Sequence, residues 1–358
     1  MDKKELTKKD IRSLEYEELS DVIEKLGEKK FRAGQIFSWL HKKKVDDFSQ
    51  MSNVSKNLSD RLMEEYDIYT LEPVDIKISS IDGTRKYIHR LVDDNVIESM
   101  LLRYDYGNTV CISSQVGCRM GCRFCASTID GLERNLTAGE MVGQIYSIEK
   151  DIGERVSHVV IMGSGEPMDN FDEFVSFVRI ITHEEGANLS GRNITASTCG
   201  LVPRIIELAD MKLPITLALS LHAVTDEKRK KIMPIANKYS LSEVIKACKY
   251  YFDATGRRIT LEYSLIAGQN DTKEDADGLI KIAGNLKCHV NLIPVNPIKE
   301  RDYKASNTTA INAFKDRLNR GKVNATVRRE MGRDINGACG QLRRSYIASE
   351  QANQVENI

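Results

Sequence analysis

The stretch TVCISSQVGCRMGCRFC, residues 109–125, decides how the rest of the chain is read. Its first half, rich in β-branched residues, predicts a strand. That strand runs straight into a loop that places Cys118, Cys122 and Cys125 within eight positions. Thiolates are the usual ligands of iron–sulfur clusters, and a four-iron cluster normally takes four of them. A C-x3-C-x2-C loop supplies three, which leaves one iron open to an outside ligand. A closed structural zinc site asks instead for four ligands, commonly as two separated pairs, and no second pair stands nearby. Zinc is therefore the weaker reading, and a [4Fe-4S] cluster the expected one.

Downstream of that loop the chain alternates strand and helix. Strands are expected at 157–162, 193–198, 214–220, 258–265 and 289–295, with helices between them such as LSEVIKACKYYFDATG and TKEDADGLIKIAGNL. Thr137 and Glu140 form a capping box that opens the helix TAGEMVGQIYSIEK. Repeated βα units imply parallel strands joined by right-handed crossovers. Six strands, counting the one at 109–114, suit a partial (β/α)6 barrel better than a closed eight-stranded one. Polar groups then recur at strand ends: GSGEP at residues 163–167, Ser197, the run Ser220, Leu221, His222, and Asn296. Barrel-type folds place their active sites on that rim. Singly, His222 or Asn296 reads more readily as a satisfied structural residue; their shared position gives them weight.

Upstream, SLEYEELSDVIEKLG and FRAGQIFSWLHKK carry helical periodicity, so residues 1–66 read as an N-terminal helical accessory domain. Residues 67–108 alternate with hairpin signals at Asp82-Gly83 and Asp93-Asp94-Asn95 and read as a short antiparallel extension. Residues 109–345 form the α/β core and 346–358 a tail. The N-terminus lacks the apolar segment of a secretory signal, and no apolar run is long enough to span a bilayer, so a cytoplasmic protein is expected.

The 358 residues carry 52 basic and 52 acidic side chains, so no global field draws the protein to nucleic acid. The charge is uneven, however. Residues 24–44 hold seven Lys/Arg against two Glu, and residues 298–344 hold twelve Lys/Arg against five Asp/Glu. Around Lys42, Lys43 and Lys44, and around Arg328 and Arg329, the chain offers candidate contacts to a phosphate backbone, with a solvated helix face as the plain alternative. Trp39 suits core packing better than stacking on a nucleotide. Eight cysteines in a reducing compartment argue against a structural disulfide framework. Cys199, Cys248 and Cys288 read as packing residues.

Taken together, TVCISSQVGCRMGCRFCASTIDGLERNLTAGE, MGSGEP, STCGLVP, SLHA, LIPVNP and DINGACGQL resemble the RNA adenine methyltransferases of the radical S-adenosylmethionine (SAM) superfamily, the RlmN and Cfr group. The resemblance runs from KKFRAGQIFSWL to GACGQL and implies a partial barrel of radical SAM type with an N-terminal helical domain. It implies SAM contacts at Gly165, Glu166, Ser197, Ser220, Leu221, His222 and Asn296, with Cys118, Cys122 and Cys125 on the cluster. One SAM would methylate Cys339, and a second, bound to the open iron, would be split to a 5′-deoxyadenosyl radical. That radical would take a hydrogen from methylated Cys339, whose methylene would then add to the base. Cys111 would resolve the adduct through a transient disulfide with Cys339, and Glu98 would accept a proton. Without the resemblance, Cys111 reads as a small core residue and Glu98 as a solvent-facing charge on an alternating strand.

The substrates so implied are adenosine C2 in the peptidyl-transferase centre of 23S rRNA and in tRNA beside the anticodon. A flavodoxin or ferredoxin would be the electron donor, and a monomer is the default. Pro167 favours this reading over the Cfr type, which methylates C8. A radical SAM activase acting on a protein would need the cysteine loop but neither Cys111 nor Cys339. A zinc-holding scaffold protein would need only the loop.

Overall fold

The computed structural model describes residues 8–298, 300–335 and 346. A short strand β1 (Lys9–Asp10) leads to three helices, α1 (Tyr16–Lys25), α2 (Phe31–His41) and α3 (Lys56–Glu65), and β2 (Tyr66–Asp67) pairs in parallel with β1. Helix α1 starts on a capping box between Glu15 and Glu18, and α3 on the Ser55 side chain. Apolar residues of this region, among them Ile11, Leu19, Ile23, Phe37 and Leu58, lie in one continuous core with Met141, Ile161, Phe174 and Phe177 of the barrel.

Next come β3 (Glu72–Ile78), β4 (Arg85–Arg90) and β5 (Val96–Tyr104), then β6 (Gly107–Ile112), β7 (Gln115–Gly117) and β8 (Leu132–Asn135). The βα alternation follows: α4 (Ala138–Ile152), β9 (Val156–Ile161), α5 (Phe171–Thr182), β10 (Ile194–Thr198), α6 (Val202–Asp210), β11 (Thr216–Ser220), α7 (Asp226–Ile232), α8 (Leu241–Thr255), β12 (Ile259–Leu265), α9 (Lys273–Gly284), β13 (Cys288–Pro294), α10 (Thr308–Arg320) and β14 (Ala325–Val327). The expected capping box of α4 is present, with Glu140 N–H donating to Thr137 Oγ1 at 3.1 Å and Thr137 N–H to Glu140 Oε2 at 3.0 Å.

One ten-stranded sheet organises the molecule, in the order β14-β13-β12-β11-β10-β9-β6-β5-β4-β3. From β6 to β14 neighbouring strands are parallel, and β5, β4 and β3 continue the sheet antiparallel. The six expected barrel strands are all present. A seventh, β14, extends them; its three residues carry too little pattern to read as a strand beforehand.

The sheet stays open between β14 and β3, and the chain beyond β14 crosses that gap. Gly332 N–H donates to Asp82 Oδ2 at 2.9 Å, and Asp334 accepts from Ser79 Oγ at 2.6 Å and from Ser80 N–H at 2.9 Å. Along β10 to β13 side chains alternate between two faces. Ile194, Ala196, Leu217, Leu219, Leu261 and Val290 enter the core under the helices. Thr195, Ser197, Ser220, Glu262 and Asn291 therefore face the barrel interior.

Candidate active site

The cysteine loop hangs between two strands that the sequence did not reveal. Strand β7 enters it, β8 leaves it, and the two pair antiparallel. Gly117 closes this ladder with φ +78°, and a Cβ there would lie 2.0 Å from the carbonyl oxygen of Gly131. Only glycine permits both the backbone angle and the approach. Within the loop, Cys118 N–H donates to Gly131 O at 2.8 Å and Arg123 N–H to Ile232 O at 2.9 Å, while Thr128 Oγ1 donates to the carbonyls of Cys122 and Cys125.

Cys118 and Cys122 are buried and Cys125 is half-buried. Around the loop lie Met120, Phe124, Ala223, Ile232, Met233 and Val295. Burial pushes the Cys118 thiol up to about 12 and Cys122 well above its ordinary value, each raised further by the neighbouring cysteines. Such thiols ionise when a metal draws them. No three metal-ligating side chains among the described residues converge as they would on a single ion. The three thiols are near enough to act on one another's charge, and three thiolates on one loop fit a cluster in which each would meet its own iron.

The loop at 163–167 follows β9 and lies against the entrance to the cysteine loop. Gly165 has φ +107°, and a Cβ would lie 2.6 Å from Ser114 Oγ and 2.7 Å from the Gln115 backbone nitrogen. Glu166 N–H donates to Gln115 Oε1 at 2.9 Å. The Glu166 carboxylate accepts from Cys199 N–H at 2.7 Å and Met168 N–H at 3.1 Å, and burial raises its pKa. Gln115 also donates to Asn135 and Asp169, and Arg119 in the cysteine loop forms a two-pronged pair with Asp169. Gln115 and Asp169 thus lock the two loops together. Neither stood out in the sequence, where a polar residue beside a cysteine motif carries no pattern of its own.

Ser197 and Ser220 stand half-buried at the ends of β10 and β11. The Leu221 side chain is in the core, so only its backbone can meet a ligand. His222 takes φ +55°. Its Nδ1 accepts from Ser264 N–H at 2.9 Å, which leaves the proton on Nε2, and burial pushes its pKa down to about 3. Phe124 of the cysteine loop meets its ring edge-on at 4.8 Å. Buried Arg229 holds this corner, donating to the carbonyls of Cys199 at 2.6 Å and of Ser220 and Leu221 at 3.3 Å. Asn296 is exposed, two residues beyond β13.

Across the interior, Glu98 is buried, not solvent-facing, and forms an ion pair with Lys86 Nζ at 3.2 Å. Strand β5 is covered on both faces because the barrel interior is packed here as well as the helix side, so alternation misplaces Glu98. Lys86, Glu98, Met100, Cys111 and Ser164 line one small cavity. Cys111 packs with Met100 and Leu102. Cys339 lies outside the described residues. Its flanks are anchored at Asp334 and at Tyr346, whose hydroxyl accepts from Arg90 at 3.1 Å. The expected disulfide requires correction: none forms among the described residues. A bond that exists only while an adduct is released has no place in a resting fold.

The basic run near residue 42 is partly spent internally. Lys44 pairs with Glu149, and Lys43 Nζ stands 3.3 Å over the Trp39 ring, which also packs against the core.

Fold and loops together define a radical SAM enzyme. Residues 112–280 match the Radical SAM superfamily, and residues 9–68 match the Ribosomal RNA large subunit methyltransferase N-terminal domain. A radical SAM methyltransferase from Sphaerobacter thermophilus superposes with a TM-score of 0.87 at 40% identity, covering 93% of this chain and 98% of that one. The chain is 56% identical over 338 residues to a dual-specificity RNA methyltransferase RlmN of Lachnospira eligens, covering 94% of this chain and 97% of its relative. It is 55% identical over 346 residues to that of Lachnoclostridium phytofermentans, covering 97% of each. The chain belongs to the RlmN family of dual-specificity RNA methyltransferases.

Proposed function

We propose that this protein methylates C2 of adenosine in 23S rRNA and in tRNA, using Cys339 as methyl carrier. The observation that carries the reading is the single cavity holding Glu98, Lys86 and Cys111 beside Ser164. A carboxylate, a cation and a thiol lining one small, partly open cavity fit a reaction in which a base is held covalently, loses a proton and is released. Neither a protein activase nor a scaffold needs that trio.

A cluster held by Cys118, Cys122 and Cys125 would supply the electron that splits SAM. The chain's own residues do the rest. The loop at 163–167, Ser197, the backbone at Leu221, neutral His222 and exposed Asn296 would seat SAM on the rim. Glu98 would take the proton from C2, its carboxylate held in place by Lys86. The Cys111 thiolate would attack the Cys339 sulfur of the thioether, forming a sulfur–sulfur bond as the sulfur–methylene bond breaks, and the released carbon would take a proton to become the methyl group; the apolar wall of Met100 and Leu102 would keep water out. Pro167 supports C2 over C8, as the sequence resemblance implies.

Anaerobic reconstitution with iron, sulfide, SAM and a reductant, followed by mass spectrometry of nucleosides from treated rRNA fragments and tRNA, tests the proposal. It expects 2-methyladenosine; 8-methyladenosine alone, or no methylated adenosine, would overturn it.

A further inference from the structure

Three aromatic rings, at the end of the barrel where its parallel strands begin, have no part in the chemistry above. Tyr104 ends β5, Tyr106 stands in the turn to β6, and His158 lies near the start of β9. Tyr104 and Tyr106 stack with ring centres 4.9 Å apart and planes 10° from parallel, and His158 meets Tyr106 edge-on at 4.9 Å. Tyr106 is 63% exposed, while Tyr104 and His158 are half-buried.

The backbone holds the group in position. Gly107, with φ +125°, brings the turn against β9, and a Cβ there would lie 2.3 Å from Ser157 Oγ. Ser157 Oγ donates to Asn108 O at 3.0 Å, so it accepts from His158 Nδ1 at 2.9 Å and fixes that ring. An aromatic face ordered before its ligand arrives suits a flat partner, which can stack there at little ordering cost.

The rings face the same interior as the proposed reaction. Tyr104 packs with Met100, Leu102 and Cys111, and so does Val160, two residues from His158 on the same face of β9. They stand far from the end expected to hold the cofactor. Five residues of extended chain, about 16 Å, separate His158 from Gly163, where the loop expected to touch SAM begins. Strand β6 likewise separates Tyr106 from the cysteine loop. RNA that reaches Cys111 from this end meets the rings on the way; SAM on the rim does not. Arg328 and Arg329 are near enough for their charges to act on the Tyr104 hydroxyl, which suits the phosphates of the same RNA.

We propose that Tyr106, stacked on Tyr104 and edged by His158, is a platform for an unpaired base next to the target adenosine, so that RNA enters the barrel from the end opposite SAM. Stacking asks only for a ring face, which every base has, so one platform serves two RNAs of different sequence. This inference rests on the RNA methyltransferase reading above and adds where the RNA lies.

The test measures the Kd of the reconstituted, full-length enzyme for three tRNA anticodon hairpins. One is intact, and the others lack the base on the 5′ or the 3′ side of the target adenosine, leaving an abasic sugar. Wild type is expected to bind one abasic hairpin at least about fivefold more weakly than the intact one. Tyr106→Leu, which keeps apolar bulk without a ring, should bind the intact hairpin about fivefold more weakly and lose little more on that abasic one. Tyr106→Phe should bind both as wild type does. Three results would each overturn the proposal: full-strength binding of the intact hairpin by Tyr106→Leu, no loss by wild type on either abasic hairpin, or an abasic loss that persists in full in Tyr106→Leu. Methylated adenosine is scored in the same samples. Its absence from wild type with the intact hairpin would sink the reading on which this inference rests, not the platform.

Discussion

At the scale of single residues, the active-site wall is built from groups whose neighbours fix their chemistry. Glu98 and Lys86 exclude each other's solvent, and removing either would strand a buried charge. Cys111 sits in the same cavity, against apolar neighbours, and on the proposed mechanism acts only after the RNA is attached. Cys111→Ala should therefore leave adduct formation intact and block release. A denaturing gel of labelled RNA is expected to show a band retarded by the mass of the protein; only unshifted RNA would contradict the role. Cysteine spacing made the proposed cluster ligands legible in the sequence, because three thiols on one loop need no tertiary information. Glu98 was not legible in the same way. It lies on a strand whose alternation gives a side-chain direction but not what covers that face.

At the scale of elements, the cysteine loop owes its shape to a ladder too short to read. Strands β7 and β8 hold three and four residues, and the contact that closes them is the approach of Gly117 to Gly131. Gly117→Ala would force a positive φ on a side-chain-bearing residue and push Gly131 away, at a cost of about 1–3 kcal/mol concentrated in the loop. Iron bound per chain after reconstitution should fall, with the far-ultraviolet circular dichroism unchanged. Full iron loading would show that the ladder does not shape the site. The longer elements were readable from pattern: the capping box at Thr137 and Glu140, and the left-handed Gly256 that ends α8, stand where the residues place them. Strand β14 was missed for the same reason as the ladder. Its pairing comes from the edge offered by β13, not from its own three residues.

At the scale of the molecule, one hydrophobic core runs from the N-terminal helices into the barrel, and it buries polar groups on the way. His41, His89 and His222 are each pushed by burial to a pKa of about 3, below the value near 6.5 that they regain on unfolding. Their contribution to stability is whole above pH 6.5 and is lost as pH falls from there toward 3. The denaturation midpoint should drop between pH 6.5 and 4. His41→Phe, beside Phe37 at a ring distance of 4.4 Å, should flatten that slope; an unchanged slope would assign the acid sensitivity elsewhere.

The central claim is that the methyl group reaches RNA by way of a carrier that first gives up a hydrogen. Trideuteromethyl SAM tests it most directly. A methyl carried on Cys339 and stripped of one deuterium before joining the base should give methyladenosine with two deuterium atoms, and 5′-deoxyadenosine with one. Methyladenosine that keeps all three would mean direct transfer, and would contradict the account.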